Sequence, residues 1–201
     1  MSEGAERTLR TFVAIELPEP VRVAIAAAQA ELRGALGTRA SSVRWVDPES
    51  AHLTLKFLGD TPETALVGIE AALRASLAEV PAFGLQTGAL GCFPSGRAPR
   101  VLWLGLDGGL APLAAAHDAV EAAIAPLGWP TEARPFAPHL TLGRLRPDAS
   151  PAERAGIGKA AGAIWPPRPT ALAVGAVSLM RSELGPGGAR YTRLVEVSLP
   201  S

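Results

Sequence analysis

His52-Leu53-Thr54-Leu55 and His139-Leu140-Thr141-Leu142 are two copies of one tetrapeptide in a chain of 201 residues. Alternate side chains of a β-strand point to opposite faces of its sheet, so each copy places its histidine and threonine on one face and its leucines on the other. Leucines that pack into a core leave the polar pair facing an open side. The repeat therefore predicts two equivalent strands, each presenting an imidazole and a hydroxyl.

The residues around the two copies predict alternating strands and helices. Apolar positions alternate over residues 9–17, and a helical stripe follows from Pro18 to Gly37. The motif strands are expected at 52–58 and 139–145. Further strands are expected at 43–46, 83–93, 101–106, 171–180 and 190–199, around a turn at 185–188, and further helices at 61–80, 111–127 and 152–161.

Each half of the chain holds helices, several strands and one motif strand. This organisation predicts an α+β fold in which two pseudo-symmetric lobes of mostly antiparallel sheet carry outer helices and enclose an active-site cleft. The cleft between the lobes is where the polar faces of both motif strands are expected to meet. We expect residues 1–201 to form a single bilobal domain.

The charge balance excludes some classes of function. The 19 lysine and arginine residues match 19 acidic residues, and a net charge of zero argues against tight, non-specific binding of long nucleic acids. A local site for one phosphate remains compatible with this balance. Lys56 and Lys159 are the only lysines, so the positive charge is almost entirely guanidinium, which suits bidentate phosphate contacts.

The remaining composition predicts a cytoplasmic protein. Cys92 is the only cysteine, so an internal disulfide is excluded and a reducing cytosol is expected. No cysteine and histidine spacing resembles a structural zinc site. Residues 1–8 lack the pattern of a secretion signal and no run of about 18 apolar residues occurs, so no membrane contact is predicted.

These residues resemble the two-histidine (2H) phosphoesterase superfamily, and within it the bacterial and archaeal RNA 2′,3′-cyclic phosphodiesterases once described as 2′-5′ RNA ligases. Order and spacing agree over nearly the whole chain. The segments that carry the resemblance are Arg10-Thr11-Phe12-Val13-Ala14-Ile15, Val43-Arg44-Trp45-Val46, His52-Leu53-Thr54-Leu55-Lys56-Phe57-Leu58-Gly59, Phe93-Pro94, Val101-Leu102-Trp103-Leu104-Gly105, Pro138-His139-Leu140-Thr141-Leu142-Gly143-Arg144 and Gly187-Gly188-Ala189-Arg190-Tyr191.

The resemblance implies metal-independent hydrolysis of an RNA terminal 2′,3′-cyclic phosphodiester to a 2′-phosphomonoester, with no cofactor. Opening the ring needs one group to take a proton from water and another to protonate the leaving oxygen, and two imidazoles can do both near neutral pH. Carried over from the family, His52 is the proton donor and His139 the acceptor. Thr54 and Thr141 would donate to the non-bridging phosphate oxygens. The residues alone leave the direction of proton transfer open.

Arg144 is a substrate-binding candidate that a regular strand does not explain. Counting from His139, an unbroken alternation turns Arg144 to the opposite face from Thr141. The family uses this arginine near substrate, so we expect a bulge or kink at Gly143 that returns it to the polar face.

Three further residues are candidates for substrate contact. Phe12 lies on the polar face of the first strand, where base stacking and core packing are both open. Arg134 and Tyr191 are candidates for ribose or phosphate contacts. His117 falls on the buried stripe of its helix and is interpreted as a core or edge histidine.

Two alternative functions remain open at this stage. The same chemistry could act on small cyclic nucleotides, and a protein with this fold could bind RNA without catalysis. Reversal of the reaction, which joins RNA ends through a 2′-5′ bond, is chemically permitted. The predicted partners are RNA 3′ ends or nucleotides with a 2′,3′-cyclic phosphate, and no obligate protein partner is inferred.

Overall fold

A computed structural model describes residues 7–164, 168–185 and 188–201. Nine strands and four α-helices lie in this part of the chain. The strands are β1 Thr8–Glu16, β2 Val43–Trp45, β3 His52–Pro62, β4 Phe83–Phe93, β5 Val101–Gly108, β6 Leu140–Leu145, β7 Ala171–Val174, β8 Ala176–Gly185 and β9 Gly188–Ser198. The helices are α1 Glu19–Leu36, α2 Leu66–Leu77, α3 Leu110–Ile124 and α4 Pro151–Ala163. Residues 186 and 187 of the expected turn lie outside the described residues.

The strands form two antiparallel sheets, which confirms the predicted α+β fold. The first sheet has the order β3-β1-β8-β9, and the second has the order β2-β6-β5-β4-β7. One motif strand belongs to each sheet: β3 lies at the edge of the first, and β6 lies between β2 and β5 in the second. Each sheet thus supplies one copy of the His-Leu-Thr-Leu repeat.

The two sheets do not correspond to the two halves of the chain. Strands β8 and β9 return from the C-terminal end to pair beside β1. The single strand predicted over 171–180 is wrong, because the chain breaks at Gly175 and sends β7 to the second sheet and β8 to the first. The buried positions change phase there, from Leu172 and Val174 to Val177 and Leu179. Apolar residues occupy both even and odd positions on either side of Gly175, so the sequence pattern does not show where the phase changes.

The first motif strand is longer than predicted. Gly59 and Asp60 were expected to close it, yet β3 continues to Pro62. Gly59 adopts a φ of 71°, in the region that favours glycine, and the strand pairing with β1 resumes beyond it. The glycine therefore acts as an irregularity within the strand and not as its end.

The helices cross over between the sheets. Helix α1 follows a strand of the first sheet and packs against β6 of the second, whereas α3 follows a strand of the second sheet and packs against β3 of the first. The predicted stripe of α1 is buried, including Val21, Ile25 and Leu32. One cluster of buried apolar residues includes members of both sheets and all four helices. No helix in the described residues combines the length and apolar character needed to cross a membrane.

A buried ion pair joins α3 to the first motif strand. The Lys56 Nζ atom lies 2.7 Å from the Glu121 Oε2 atom, with side-chain exposures of 5% and 9%. Lys56 also donates to the carbonyl oxygen of Pro130 at 3.0 Å, and Glu121 accepts from the backbone amide of Glu132 at 3.1 Å. The pair therefore also holds the segment that leads to the second motif.

Replacing one member of this pair should destabilise the fold more than replacing both. Lys56→Met leaves the Glu121 carboxylate buried without its cation, and we expect the free energy of unfolding to fall by about 3–5 kcal/mol. The double variant Lys56→Met/Glu121→Leu should recover most of that loss, because neither charge then has to be desolvated. Urea denaturation measures both values.

The matched control for this comparison is the exposed pair of Arg74 and Glu70 on α2, whose nearest atoms are 2.7 Å apart. Arg74→Met should cost less than about 1 kcal/mol, because an exposed pair is solvated before and after the change. Equal losses from Lys56→Met and Arg74→Met would contradict the assignment of Lys56 as a buried structural cation.

Candidate active site

Both motif strands carry a β-bulge at the fourth residue of the repeat. In the first sheet Thr54 lies opposite Ala14 and Lys56 lies opposite Val13, which leaves Leu55 as the extra residue. In the second sheet the same register shift leaves Leu142 as the extra residue. Each bulge reverses the alternation, so the residue two positions after it rejoins the face of the histidine and threonine.

The bulge predicted near Gly143 is thus confirmed. It turns Gly143 toward the buried side, where a Cβ atom would meet a methyl group of Val43 at 2.6 Å. Arg144 is therefore exposed on the same face as Thr141. The side chain predicted from the family resemblance faces the cleft for a local backbone reason.

The two imidazoles are held by the same backbone contact. The His52 Nδ1 atom lies 3.0 Å from the carbonyl oxygen of Ser50, and the His139 Nδ1 atom lies 2.9 Å from the carbonyl oxygen of Ala137. A carbonyl oxygen can only accept, so the Nδ1 atom of each ring carries a proton and donates it. The Nε2 atom of each ring is then the one that can accept a proton when the ring is neutral.

Aromatic rings restrict the rotation of both histidines. The His52 ring lies against Phe12, with centroids 4.6 Å apart, and meets the Tyr191 ring edge-on at 4.8 Å. The His139 ring meets Phe93 edge-on at 4.9 Å. The rings therefore hold each imidazole in a defined orientation.

Arg144 links the two motifs electrostatically. Burial is the main cause that lowers the pKa of His52 and of His139, the carbonyl contacts oppose it, and the positive charge of Arg144 lowers both values further. The fold agrees with this shared effect, because β6, which carries Arg144, contacts β3, which carries His52. The two copies of the repeat thus converge on one cationic group.

The threonines of the two motifs are available to a ligand. Thr54 and Thr141 lie on the same face as the histidines and are half-buried. Among the described residues neither hydroxyl has a hydrogen-bond partner. That part of the chain also contains no group of three or more histidine, cysteine, aspartate or glutamate side chains placed to hold a metal ion.

The other three residues predicted to contact substrate differ in how close they lie to the histidines and in how exposed they are. Tyr191 is half-buried beside His52, and burial raises the pKa of its hydroxyl. Phe12 is only 3% exposed, so its ring supports His52 and offers no free face for the predicted stacking on a base. Arg134 is exposed and its guanidinium pairs with Glu132 at 3.1 Å, which leaves its predicted contact with substrate without structural support.

Phe57 is a cleft residue that the sequence reasoning missed. It is 69% exposed and its ring centroid lies 6.2 Å from that of Phe12. Phe57 follows His52 by five positions, as Arg144 follows His139, and the shared bulge places both on the cleft face. A comparison of the residues at the same distance after each histidine would have identified Phe57 from the sequence.

A cavity of about 630 Å³ opens beside His52 and Tyr191. Its charged lining is mostly acidic. The charged side chains are those of Glu16, Asp47, Glu49, Glu183, Arg22 and Arg190. Three of the four carboxylates have an arginine partner: Glu49 with Arg22 at 2.7 Å, Glu183 with Arg181 at 2.7 Å and Glu16 with Arg193 at 3.5 Å.

The chain is similar to a set of named proteins. Residues 17–186 match the model of the 2′-5′ RNA ligase superfamily. An RNA 2′,3′-cyclic phosphodiesterase of Methanothermobacter thermautotrophicus is 33% identical over 92% of this chain and 95% of its own. A protein of the same name from Thermus thermophilus is 35% identical over 95% of this chain and 90% of its own.

Solved structures agree with the sequence relatives. The structure of TT0787 from Thermus thermophilus superimposes with a TM-score of 0.73 and 30% identity, covering 95% of this chain and 98% of that one. The structure of E. coli LigT complexed with 3′-AMP superimposes with a TM-score of 0.75 and 26% identity. The match covers 97% of this chain and 100% of that one.

Removal of the Arg144 charge should raise the pKa of both catalytic candidates. Because this cation lowers the pKa of His52 and His139, Arg144→Gln removes an unfavourable interaction with each protonated ring. NMR titration of the imidazole Cε1 protons measures the two values. Arg134→Gln is the control, since that guanidinium is paired with Glu132. An increase at only one histidine would show that Arg144 does not lie between the two motifs.

Proposed function

Because the chain belongs to the 2′-5′ RNA ligase superfamily, we propose that it is an RNA 2′,3′-cyclic phosphodiesterase that uses His52 and His139 as its acid and base. One observation carries the assignment of these residues. Each imidazole donates from Nδ1 to a backbone carbonyl, presents Nε2 for proton transfer, and senses the same Arg144.

The reaction follows from this arrangement. Water attacks the phosphorus atom while the Nε2 atom of neutral His139 takes a proton from it. The bond between phosphorus and the 3′ oxygen breaks, and protonated His52 donates its Nε2 proton to that oxygen. The products are a 2′-phosphomonoester and a free 3′ hydroxyl, and the two histidines have exchanged protonation states.

Charge in the transition state is stabilised by neighbouring groups. Thr54 and Thr141 donate hydrogen bonds to the non-bridging oxygens, and Arg144 supplies a fixed positive charge. The bound phosphodiester is an anion, which favours the protonated form of a nearby imidazole and offsets the effect of burial on His52. One ring can therefore be protonated while the other is neutral.

The substrates we propose are RNA 3′ ends that carry a 2′,3′-cyclic phosphate. Two complete pairs of histidine and threonine on one cleft favour a catalyst over a protein that only binds RNA. The same machinery can run in reverse and join RNA ends through a 2′-5′ bond, although water favours hydrolysis. Its single cysteine suits a reducing compartment, and we place the protein in the cytoplasm.

Substitution of either histidine should abolish most of the activity. We expect His52→Ala and His139→Ala each to lower kcat by about 10²–10⁴-fold on a dinucleotide with a cyclic phosphate end, while the circular dichroism spectrum stays native. The wild-type rate should be unchanged by EDTA and bell-shaped in pH, since one imidazole must be neutral and the other protonated.

His117→Gln is the control for these variants. His117 stacks on Phe136 with ring centroids 4.0 Å apart and takes no part in the proposed reaction. The rate of the His117→Gln variant should therefore remain near that of the wild type. Near-normal rates for both alanine variants would reject the two assignments, and loss of activity in EDTA would reject a metal-independent reaction.

Phe57 should contribute to substrate affinity through base stacking. Phe57→Ala removes an exposed ring from the cleft face, and we expect KM for a cyclic nucleotide to rise by about tenfold, since stacking on one aromatic ring is worth about 1–3 kcal/mol per base. Steady-state kinetics measure this change. Val67→Ala, at a position 78% exposed on α2, is the matched control. Equal KM values in both variants would exclude stacking on Phe57.

A further inference from the structure

Two arginines face each other across the neighbouring strands β2 and β6. In the pairing of β2 with β6, Arg44 lies directly opposite Arg144. Val43 and Gly143 turn toward the buried side, so both arginines project from the cleft face, and both are exposed. Side chains opposite each other in an antiparallel pair have Cβ atoms about 5 Å apart.

This pairing is unfavourable for the protein alone. Like charges directly opposite each other in a sheet repel. Within the described residues, neither Arg44 nor Arg144 forms an ion pair or a side-chain hydrogen bond. Elsewhere the protein does pair its arginines with acids, as in Arg22 with Glu49 and Arg181 with Glu183. Two adjacent unpaired guanidinium groups form a site for an anion with more than one charge, or for two successive anions.

The groove beside His52 has a different pattern of charge. The groove beside His52 carries four carboxylates, from Glu16, Asp47, Glu49 and Glu183, against two arginines. Glu16, Glu49 and Glu183 are paired with Arg193, Arg22 and Arg181, so among the described residues the groove offers a phosphate only Arg190 as an arginine without an acidic partner. Arg44 and Arg144 are therefore a stronger site for a chain of phosphates than this groove, although the whole protein has a net charge of zero.

We propose that Arg44 binds the internal phosphate that precedes the terminal cyclic phosphate, so that the RNA strand leaves the cleft across β6 and β2. The inference rests on the proposed function, in which Arg144 serves the cyclic phosphate itself. Strands lie about 4.8 Å apart and arginine side chains are long, so the two guanidinium groups can each contact one of two successive phosphates. The preferred substrate is then an oligonucleotide and not a cyclic mononucleotide.

The test compares substrates that differ by one charge. They are a 2′,3′-cyclic mononucleotide, a dinucleotide with one internal phosphodiester and a cyclic end, and the same dinucleotide with a neutral methylphosphonate linkage. A 2′-O-methyl group on the first nucleotide protects the internal linkage. The wild-type kcat/KM should be about tenfold higher for the charged dinucleotide than for the other two substrates. A factor of about ten is what one charge-assisted hydrogen bond provides.

Arg44→Gln should remove this preference selectively. We expect kcat/KM for the charged dinucleotide to fall by about tenfold, while the values for the mononucleotide and the methylphosphonate stay within about twofold. Arg44→Lys, which keeps the charge, should retain part of the preference. The slope of log KM against log salt concentration should also be smaller in Arg44→Gln. The decrease should correspond to the loss of about one phosphate contact.

Arg190→Gln, in the acidic groove, is the matched control and should leave all three substrates unchanged. The inference is overturned if Arg44→Gln lowers all three equally, if Arg190→Gln selectively impairs the charged dinucleotide, or if wild-type protein gains nothing from the internal phosphate. Hydrolysis of the mononucleotide separates these results from failure of the proposed function, in which the wild-type protein would hydrolyse none of the three substrates.

Discussion

A one-residue bulge in each motif strand is the constraint on which the cleft depends. Without Leu55 and Leu142 as extra residues, regular alternation would turn Phe57 and Arg144 toward the core and would place Lys56 and Gly143 on the face of the histidines and threonines. A bulge leaves backbone groups unpaired in the ladder, and buried groups of that kind need partners. The carbonyl oxygen of Leu142 accepts from the side chain of Gln29 at 2.9 Å and from the amide of Val46 at 3.0 Å.

Each bulged strand is supported by a polar side chain from the helix that crosses over from the other sheet. Gln29 of α1 serves β6, and Glu121 of α3 serves β3 through Lys56. Both residues sit directly after a fully buried position in the stripe of their helix, Ala28 in α1 and Val120 in α3. The pseudo-symmetry of the fold therefore extends from the motifs to the buried polar side chains that support them. The two catalytic candidates owe their placement to helices that bind the sheets together.

The same local geometry also gives the two sides of the cleft different properties. At equivalent positions after the bulge, one strand presents the exposed ring of Phe57 and the other the guanidinium of Arg144. The site therefore combines an apolar surface suited to a base with a cationic surface suited to phosphate. Arg44 extends the cationic side onto β2, while carboxylates line the groove beyond His52. A substrate with a base, a cyclic phosphate and a further phosphate matches this division.

Much of the site could be predicted from the sequence because it depends on short-range periodicity. The alternation within each His-Leu-Thr-Leu copy determines which side chains share a face, and the repeat of that pattern indicates that two such faces exist. The bulge before Arg144 was expected from local geometry together with the family resemblance, which implies that this arginine lies near substrate. The sequence left base stacking and core packing open for Phe12, because exposure depends on neighbours that come from elsewhere in the chain. His52, Phe57 and Tyr191 lie against its ring, which is 3% exposed.

Tertiary structure alone decided how these pieces are combined. The break at Gly175, the exchange of strands between the halves of the chain, and the pairing of Arg44 with Arg144 all join residues far apart in sequence. Strand pairing depends on packing and hydrogen bonds across the sheet, which leave no periodic trace in either strand. The sequence determined the chemistry that each motif strand presents, and the long-range contacts determined that both motifs, one arginine and a polar cleft meet in one site.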